Sequence, residues 1–268
     1  MPAPPRAHLT LHRSPRTRAD STSTNLAYLV SAVTCRTGRA LPVADAPHGW
    51  RAYAGLVIVV LGVPSWRAGD DGAPAGLAAR VALAAARSGA RVELAGRVGD
   101  DEAGDRLLLA LSRAGVGHSA VLRDPARATP TLAPTTDDDA PSTPDGPRSP
   151  GTSSGVTLRL DAADLELALS YLPDYRVVVV AEPLPEVAVR TVIDAAGYAG
   201  ARLVVLANDA TTSDAFGPAA TVLAAPDEDD GSFAALVGTY AAGLDRGTEP
   251  EQAFRAAVEM VSASVAED

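Results

Sequence analysis

Three short runs of apolar, mostly β-branched residues stand out along the chain: Gly55 to Val63 (GLVIVVLGV), Arg176 to Ala181 (RVVVVA) and Ala201 to Ala207 (ARLVVLA). Runs of this kind lack the polar alternation of a half-exposed strand, and they are typical of strands buried on both faces of a parallel sheet. We predict that the run from Gly55 to Val63 opens the central sheet.

Other stretches place their apolar residues at helical spacing. They predict four helices, over Asp161 to Leu172, Leu184 to Ala199, Ser232 to Leu244 and Pro250 to Val265. Strands that alternate with helices indicate an α/β fold of three layers, with a mostly parallel central sheet and right-handed crossovers. Asn208 and Asp209 follow a predicted strand, at the edge of the sheet where ligands of such folds bind.

Two stretches carry no periodic pattern. Residues 1–53 are rich in Pro, Arg, Ser and Thr, and residues 125–155 are of low complexity, so neither has the apolar surface that would offset chain entropy. We therefore expect a disordered N-terminal extension, followed by one domain over residues 54–268 that contains a disordered internal loop at 125–155. Asn25 to Cys35 is the most apolar part of the extension, and it is too brief to span a membrane.

The stretch from Gly76 to Val116 predicts a helix, a strand and a second helix with short joints. Gly89 falls where the first helix should end in a left-handed conformation, which glycine adopts without a Cβ penalty. Asp100, Asp101 and Glu102 bring negative charge to the first turn of the second helix, where the macrodipole favours it.

The composition excludes several classes of function. The formal net charge of −10 argues against nucleic acid or an anionic membrane as a partner. All 23 basic residues are arginine, which excludes a P-loop lysine, a protein-kinase strand lysine and a pyridoxal Schiff base. The single cysteine, Cys35, allows no intrachain disulfide and suits a reducing cytoplasm. The four histidines have no metal-ligand spacing.

The central stretch resembles the N-terminal signature of the ribokinase/PfkB carbohydrate kinases. That signature runs from a Gly-Gly motif through a helix and a strand to G-x-V-G-x-D-x-x-G and a leucine helix that ends in Gly-Val. The matching residues here are Gly76, Gly89, Ala90, Gly96, Val98, Gly99, Asp101, Gly104, Leu107, Leu111, Gly115 and Val116. The resemblance implies a ribokinase-like fold that transfers phosphate from ATP, with Mg²⁺, to a hydroxyl group of a sugar or nucleoside.

The resemblance also shows departures around the substrate. The chain passes from the first strand to Ala75-Gly76 too quickly for the usual lid of small strands, so we expect the lid to be largely absent. Asp70 or Asp71 is a candidate for the family's substrate-contacting aspartate, and we choose Asp71, beside Gly76 of the Gly-Gly motif. Arg80 takes the position of the sugar-contacting asparagine.

The catalytic motif departs further. In the resembled family, a Gly-Ala-Gly-Asp motif begins a helix, holds the developing anion on backbone amides and supplies the base. Aligned on Phe233, these positions fall on Glu228, Asp229, Asp230 and Gly231. The base position is then a glycine, and Asp230 is the remaining candidate base, whereas Asp229, Gly231 and Ser232 occupy the anion hole. The explanation that we favour is that these acids cap a helix N-terminus, where they are stabilising.

Between residues 208 and 227 the chain is too short for the family's metal-binding helix, the following strand and the nucleotide loop. Two function classes therefore stay open. One is a carbohydrate kinase that is catalytically impaired and uses ATP and Mg²⁺ if it is active, and the other is a pseudokinase that binds a small ligand or a partner without catalysis. A third class, a nicotinamide-dependent enzyme, is disfavoured, since no G-x-G-x-x-G follows the first strand.

Overall fold

The computed structural model describes residues 57–69, 72–133, 158–172, 174–207, 215–218, 220–226 and 231–267, and of residues 265–267 the backbone only. The nine strands are β1 (Val57–Leu61), β2 (Ser65–Arg67), β3 (Ala73–Ala75), β4 (Arg91–Gly99), β5 (Val116–Asp124), β6 (Thr131–Leu132), β7 (Tyr175–Val180), β8 (Arg202–Ala207) and β9 (Ala220–Ala224). The helices are α1 (Gly76–Arg87), α2 (Glu102–Arg113), α3 (Ala162–Tyr171), α4 (Glu186–Ala199), α5 (Ser232–Asp245) and α6 (Pro250–Glu267).

Six strands form one parallel sheet in the order β5-β4-β1-β7-β8-β9. All five residues of β1, at the centre of this sheet, are buried. Their side chains alternate between two cores, since Ile58 and Val60 face one core whereas Val57, Val59 and Leu61 face the other. The predicted α/β fold with three layers and a parallel sheet is therefore confirmed.

The helices divide between the two faces of the sheet. Helices α1, α2, α5 and α6 enclose one core with the sheet, and α3 and α4 enclose the other. The chain moves from β1 outward to β4 and β5 with helices on the first face, and from β7 outward to β8 with a helix on the second face. The crossovers in the two directions have the same hand, as expected for parallel sheets, because reversing the direction also reverses the face.

A second sheet, which we call the small sheet, consists of β2, β3 and β6 in the order β3-β2-β6. None of its strands is longer than three residues, and none was predicted from the sequence. Two of them lie between β1 and α1, where the resemblance places a lid. The small sheet agrees with the expectation of a lid that is largely absent.

One sequence prediction needs correction, and one element was not predicted. Residues 125–133 belong to the stretch predicted to be irregular, yet they form a turn and β6, and Thr129 is buried there. Between residues 208 and 227, the stretch predicted to be too short for a helix, a strand and a loop together, lies β9, which completes the large sheet and was not predicted as a separate element. The N-terminal extension and residues 134–157 lie outside the described residues.

The left-handed conformation predicted for Gly89 is confirmed, with φ of +81° directly after α1. A β-branched residue pays a steric cost in this conformation, so we expect Gly89→Val to destabilise the protein by roughly 1–2 kcal/mol in chemical denaturation. Gly197→Val is the matched control, because Gly197 lies inside α4 and neither glycine has a heavy atom within 4 Å of an added Cβ. Equal unfolding free energies for the two variants would contradict the prediction.

Candidate active site

The strand order places a crevice at the carboxyl edge of the sheet. The chain leaves β1 toward β4 and leaves β7 toward β8, so the winding direction reverses between these two neighbouring strands. Helices depart to opposite faces at such a switch point, and ligands of open α/β sheets bind there. The segments that follow β1 and β7, Gly62 to Pro64 and Ala181 to Glu182, therefore border the candidate site.

Glu182 is the carboxylate at this crevice. It follows β7 directly, is partly buried, and its Oε2 accepts a hydrogen bond of 2.9 Å from the backbone N–H of Val63. Burial raises the pKa of Glu182, although hydrogen bonds from Val63 and Leu160 and the charge of Arg159 oppose that increase. A carboxyl group whose pKa is raised at a ligand edge is a candidate functional group.

Sequence analysis did not identify Glu182. Its signal is present, because an acidic residue directly follows a buried apolar run, from Arg176 to Ala181. That signal gains weight only when the strand order shows that β7 lies beside β1.

Two helices begin at the same edge. Helix α1 ends before the amino end of β4, and α5 begins after the carboxyl end of β9, so both run from the carboxyl edge toward the amino edge. They pack closely, since a Cβ on Gly238 would lie 2.6 Å from the Cβ of Ala84. Gly238 is about two turns from the start of α5, as Ala84 is from the start of α1. The two N-termini therefore share the edge.

This packing brings four of the predicted site residues to one edge. Gly76 begins α1 and Arg80 lies one turn further along it, and Gly231 and Ser232 lie at the start of α5. Asp71, Asp229 and Asp230 lie outside the described residues, as do Asn208 and Asp209.

Gly231 is the N-cap residue of α5, with φ of +106° and no side chain to cap the helix. Its carbonyl oxygen accepts the hydrogen bond of the Ala235 N–H, 2.9 Å away, so the helix begins there. The positive end of the helix dipole thus lies at the carboxyl edge. The position that the resemblance gives to the catalytic base carries no proton-accepting group.

The described residues do not provide a ligand set for Mg²⁺. No group of three or more His, Cys, Asp or Glu side chains in this part of the chain is arranged to hold a metal ion. In the described part of the chain, the side chains therefore do not fit the Mg²⁺ that the resemblance implies.

Asp101 of the signature has a structural role. Its Oδ1 caps α2 through the Gly104 N–H, and its carboxylate accepts from both the N–H and the hydroxyl of Thr129 at 2.7 Å. Partial burial acts to raise the pKa of Asp101, but the hydrogen bonds from Thr129 and Gly104 outweigh burial and lower it overall.

No helix in the described part of the chain is long and apolar enough to cross a membrane. No curated protein matches the sequence.

Solved structures share the fold. A PfkB protein from Polaromonas sp. JS666 is 17% identical with a TM-score of 0.56, over 78% of this chain and 96% of its own. The Arabidopsis thaliana ribokinase complexed with ribose and ATP is 14% identical with a TM-score of 0.52, over 78% and 92%. A carbohydrate kinase from Agrobacterium tumefaciens is 14% identical with a TM-score of 0.50, over 78% and 91%. At these identities the likeness shows the fold.

The family itself is shown by sequence. The sequence model of the pfkB family carbohydrate kinases matches residues 72–227, more than half of the chain, and this match includes the signature from Gly76 to Val116. The chain belongs to the pfkB family of carbohydrate kinases.

Proposed function

We propose that this protein is a catalytically impaired member of its family, which binds a small hydroxylated ligand at the carboxyl edge between β1 and β7. The observation that carries the proposal is the start of α5. Gly231 begins the helix, and the alignment on Phe233 gives it the position of the base. A glycine cannot accept a proton from a sugar hydroxyl.

The sequence before α5 supports the impairment. Asp227, Glu228, Asp229 and Asp230 directly precede Gly231, where the family motif has small residues. Two unit charges about 4 Å apart repel by about 1 kcal/mol in water and by several times that near a protein surface. Acidic side chains at this helix start therefore oppose a phosphate group that the helix dipole alone would attract.

The scaffold supports ligand binding. The switch point, the paired N-termini of α1 and α5 and the Glu182 carboxylate are all in place at one edge. A relative of the same fold is described with ribose and ATP, which favours a sugar or nucleoside as the ligand. Carboxylate and arginine side chains, such as Glu182 and Arg80, supply the acceptors and donors that sugar hydroxyl groups need.

The alternative is a working kinase in which Asp230 acts as the base. The observation that favours it is the preserved start of α5, which still points the positive end of its dipole at the carboxyl edge. Asp230 adjoins the base position in sequence, so a remodelled turn would bring its carboxylate to the same place.

Thermal unfolding with ribose, adenosine and ATP tests the binding proposal. A ligand that binds only the folded state stabilises it by RT ln(1 + [L]/Kd), about 2.7 kcal/mol at a hundredfold excess over Kd. We expect the sugar or the nucleoside to raise the melting temperature in a saturable way. An unchanged melting temperature with every ligand would contradict the proposal.

Glu182→Gln separates ligand binding from folding. We expect the variant to weaken sugar binding by about 10- to 100-fold, because a hydrogen bond to a charged group contributes about 1.5–3 kcal/mol. Glutamine still offers an oxygen to the Val63 N–H. The readout is the ligand-induced shift of the melting temperature, and Glu186→Gln is the control, since Glu186 is exposed and pairs with Arg190 in the same helix.

The same variant has a pH signature. The raised pKa of Glu182 means that the folded protein holds this proton more tightly than the unfolded chain does. The protonated Glu182 stabilises the folded protein fully when the pH is below the pKa of Glu182 in the unfolded chain. This stabilisation is lost as the pH rises through the pKa of Glu182 in the folded protein. Glu182→Gln should therefore be at least as stable as wild type at neutral pH. A large loss of stability at that pH would assign Glu182 a purely structural role.

A further inference from the structure

We infer that the small sheet is a fixed wall of the domain and does not close over a ligand. Two separate contacts hold it in place, one through Trp66 of β2 and the other between Thr129, before β6, and Asp101. Both contacts are made in the ligand-free protein, so they do not depend on the proposed function.

Trp66 inserts the small sheet into the main core. It is the central residue of β2, its side chain is 9% exposed, and it belongs to the core that the sheet forms with α1 and α2. Gly72 makes room for the ring, since a Cβ there would lie 2.6 Å from Cζ2 of Trp66. A swinging lid would have to withdraw this indole and leave a cavity in a close-packed interior.

Thr129 fastens the other side of the small sheet. It is 3% exposed, and its N–H and hydroxyl donate to the two carboxylate oxygens of Asp101, each at 2.7 Å. The hydroxyl oxygen also accepts from the N–H of Gly99, at 2.9 Å. Because Gly99 ends β4 and Asp101 caps α2, Thr129 is tied to two elements of the main domain at once.

The two anchors belong to one hydrogen-bonded unit. The N–H groups of Trp66 and Ala68 in and after β2 donate to the carbonyl oxygens of Pro130 and Leu132, at 2.8 and 2.9 Å. Neither anchor can open without breaking the other or separating β2 from β6. The small sheet therefore moves as a whole or does not move.

The fixed position has a consequence at the ligand edge. Strand β3 runs directly into Gly76, so the docked small sheet also fixes the start of α1. A ligand at this edge binds against a preformed wall, so little conformational entropy is lost in ordering the wall. Closure of a lid normally excludes water from phosphoryl transfer, and a wall that cannot close serves binding better than catalysis.

Hydrogen exchange in the ligand-free protein tests this inference. If the small sheet is fixed, the amides of Trp66 and Ala68 exchange only through the same global opening as those of β1. We expect added ribose or ATP to change their exchange rates only in parallel with those of β1. Exchange orders of magnitude faster than in β1, slowed by either ligand, would show a mobile lid and overturn the inference.

Substitutions of Thr129 test its contact with Asp101 directly, and they are conservative so that the protein still folds. Thr129→Val keeps the shape and removes the hydroxyl, so we expect at least about tenfold faster exchange at Trp66 and Ala68, in parallel with the β1 amides that open with them. Thr129→Ser retains the hydroxyl and should restore slow exchange. Thr191→Val is the control, since the Thr191 hydroxyl bonds only within α4, to Val187. Equal rates at Trp66 and Ala68 in Thr129→Val and Thr191→Val would show that Thr129 is no anchor.

Fluorescence gives an independent measure. Trp50 and Trp66 are the only tryptophans, so Trp50→Phe leaves Trp66 as the single reporter. We expect acrylamide to quench it far less than free tryptophan, with no change on adding ribose or ATP. Efficient quenching that a ligand suppresses would contradict the docked position.

Discussion

Arg97→Leu is expected to destabilise the protein by about 2–4 kcal/mol, because it leaves a buried carboxylate without its partner. Arg97 lies near the end of β4, and its Nη2 donates to Oδ1 of Asp164 at 2.7 Å. The Asp164 side chain is 8% exposed. The hydrogen bond to Asp164 is the main cause that raises the pKa of Arg97, and partial burial opposes it.

The measurement is urea-induced unfolding, with Arg106→Leu as the matched control. Arg106 pairs with Glu102 on an exposed face of α2, so its loss should cost less than about 0.5 kcal/mol. The comparison isolates burial, since both variants remove an arginine from an ion pair. Equal costs would show that Asp164 is solvated after all.

Replacing both Glu228 and Asp229 by glycine is expected to tighten ATP binding by about tenfold or more. Each carboxylate removed relieves roughly 1 kcal/mol or more of repulsion against the phosphate groups, by the Coulomb estimate for charges about 4 Å apart. The helix dipole of α5 then acts on the phosphates without that opposition.

Calorimetric titration with ATP measures the effect, at low and at high salt. The control is Glu249→Gly with Glu251→Gly, which changes the net charge equally at the start of α6. Binding that tightens equally in both double variants would mean that total charge alone matters. An unchanged affinity for ATP when Glu228 and Asp229 are glycine would contradict the proposal that these carboxylates repel the phosphate groups.

The buried strands were predictable because their signal is local. β1, β7 and β8 are runs of apolar residues, a pattern typical of burial on both faces. β1 and β8 lie within the predicted stretches, and β7 begins one residue before its stretch. The short strands β2, β3 and β6 have no such signal. They exist because they pair with one another and because Trp66 docks into a core formed by distant residues.

The sequence predicted those residues of the candidate site that belong to motifs continuous along the chain. Gly76, Arg80, Gly231 and Ser232 were located through the signature and through the helix that contains Phe233, and the structure places all four at one edge. Glu182 was not predicted as a site residue, because its position at the crevice depends on β7 lying beside β1. That pairing joins residues more than a hundred positions apart, which no local pattern encodes.

The most direct test of impaired phosphoryl transfer is sugar-dependent ATP consumption by the wild-type protein, across a panel of sugars and nucleosides with Mg²⁺. The account predicts no consumption above the sugar-free background, in wild type and in Asp230→Asn alike, because Gly231 cannot serve as the base. Robust wild-type turnover that falls by about 10²–10⁴ in Asp230→Asn would contradict the account and establish Asp230 as the base of a working kinase.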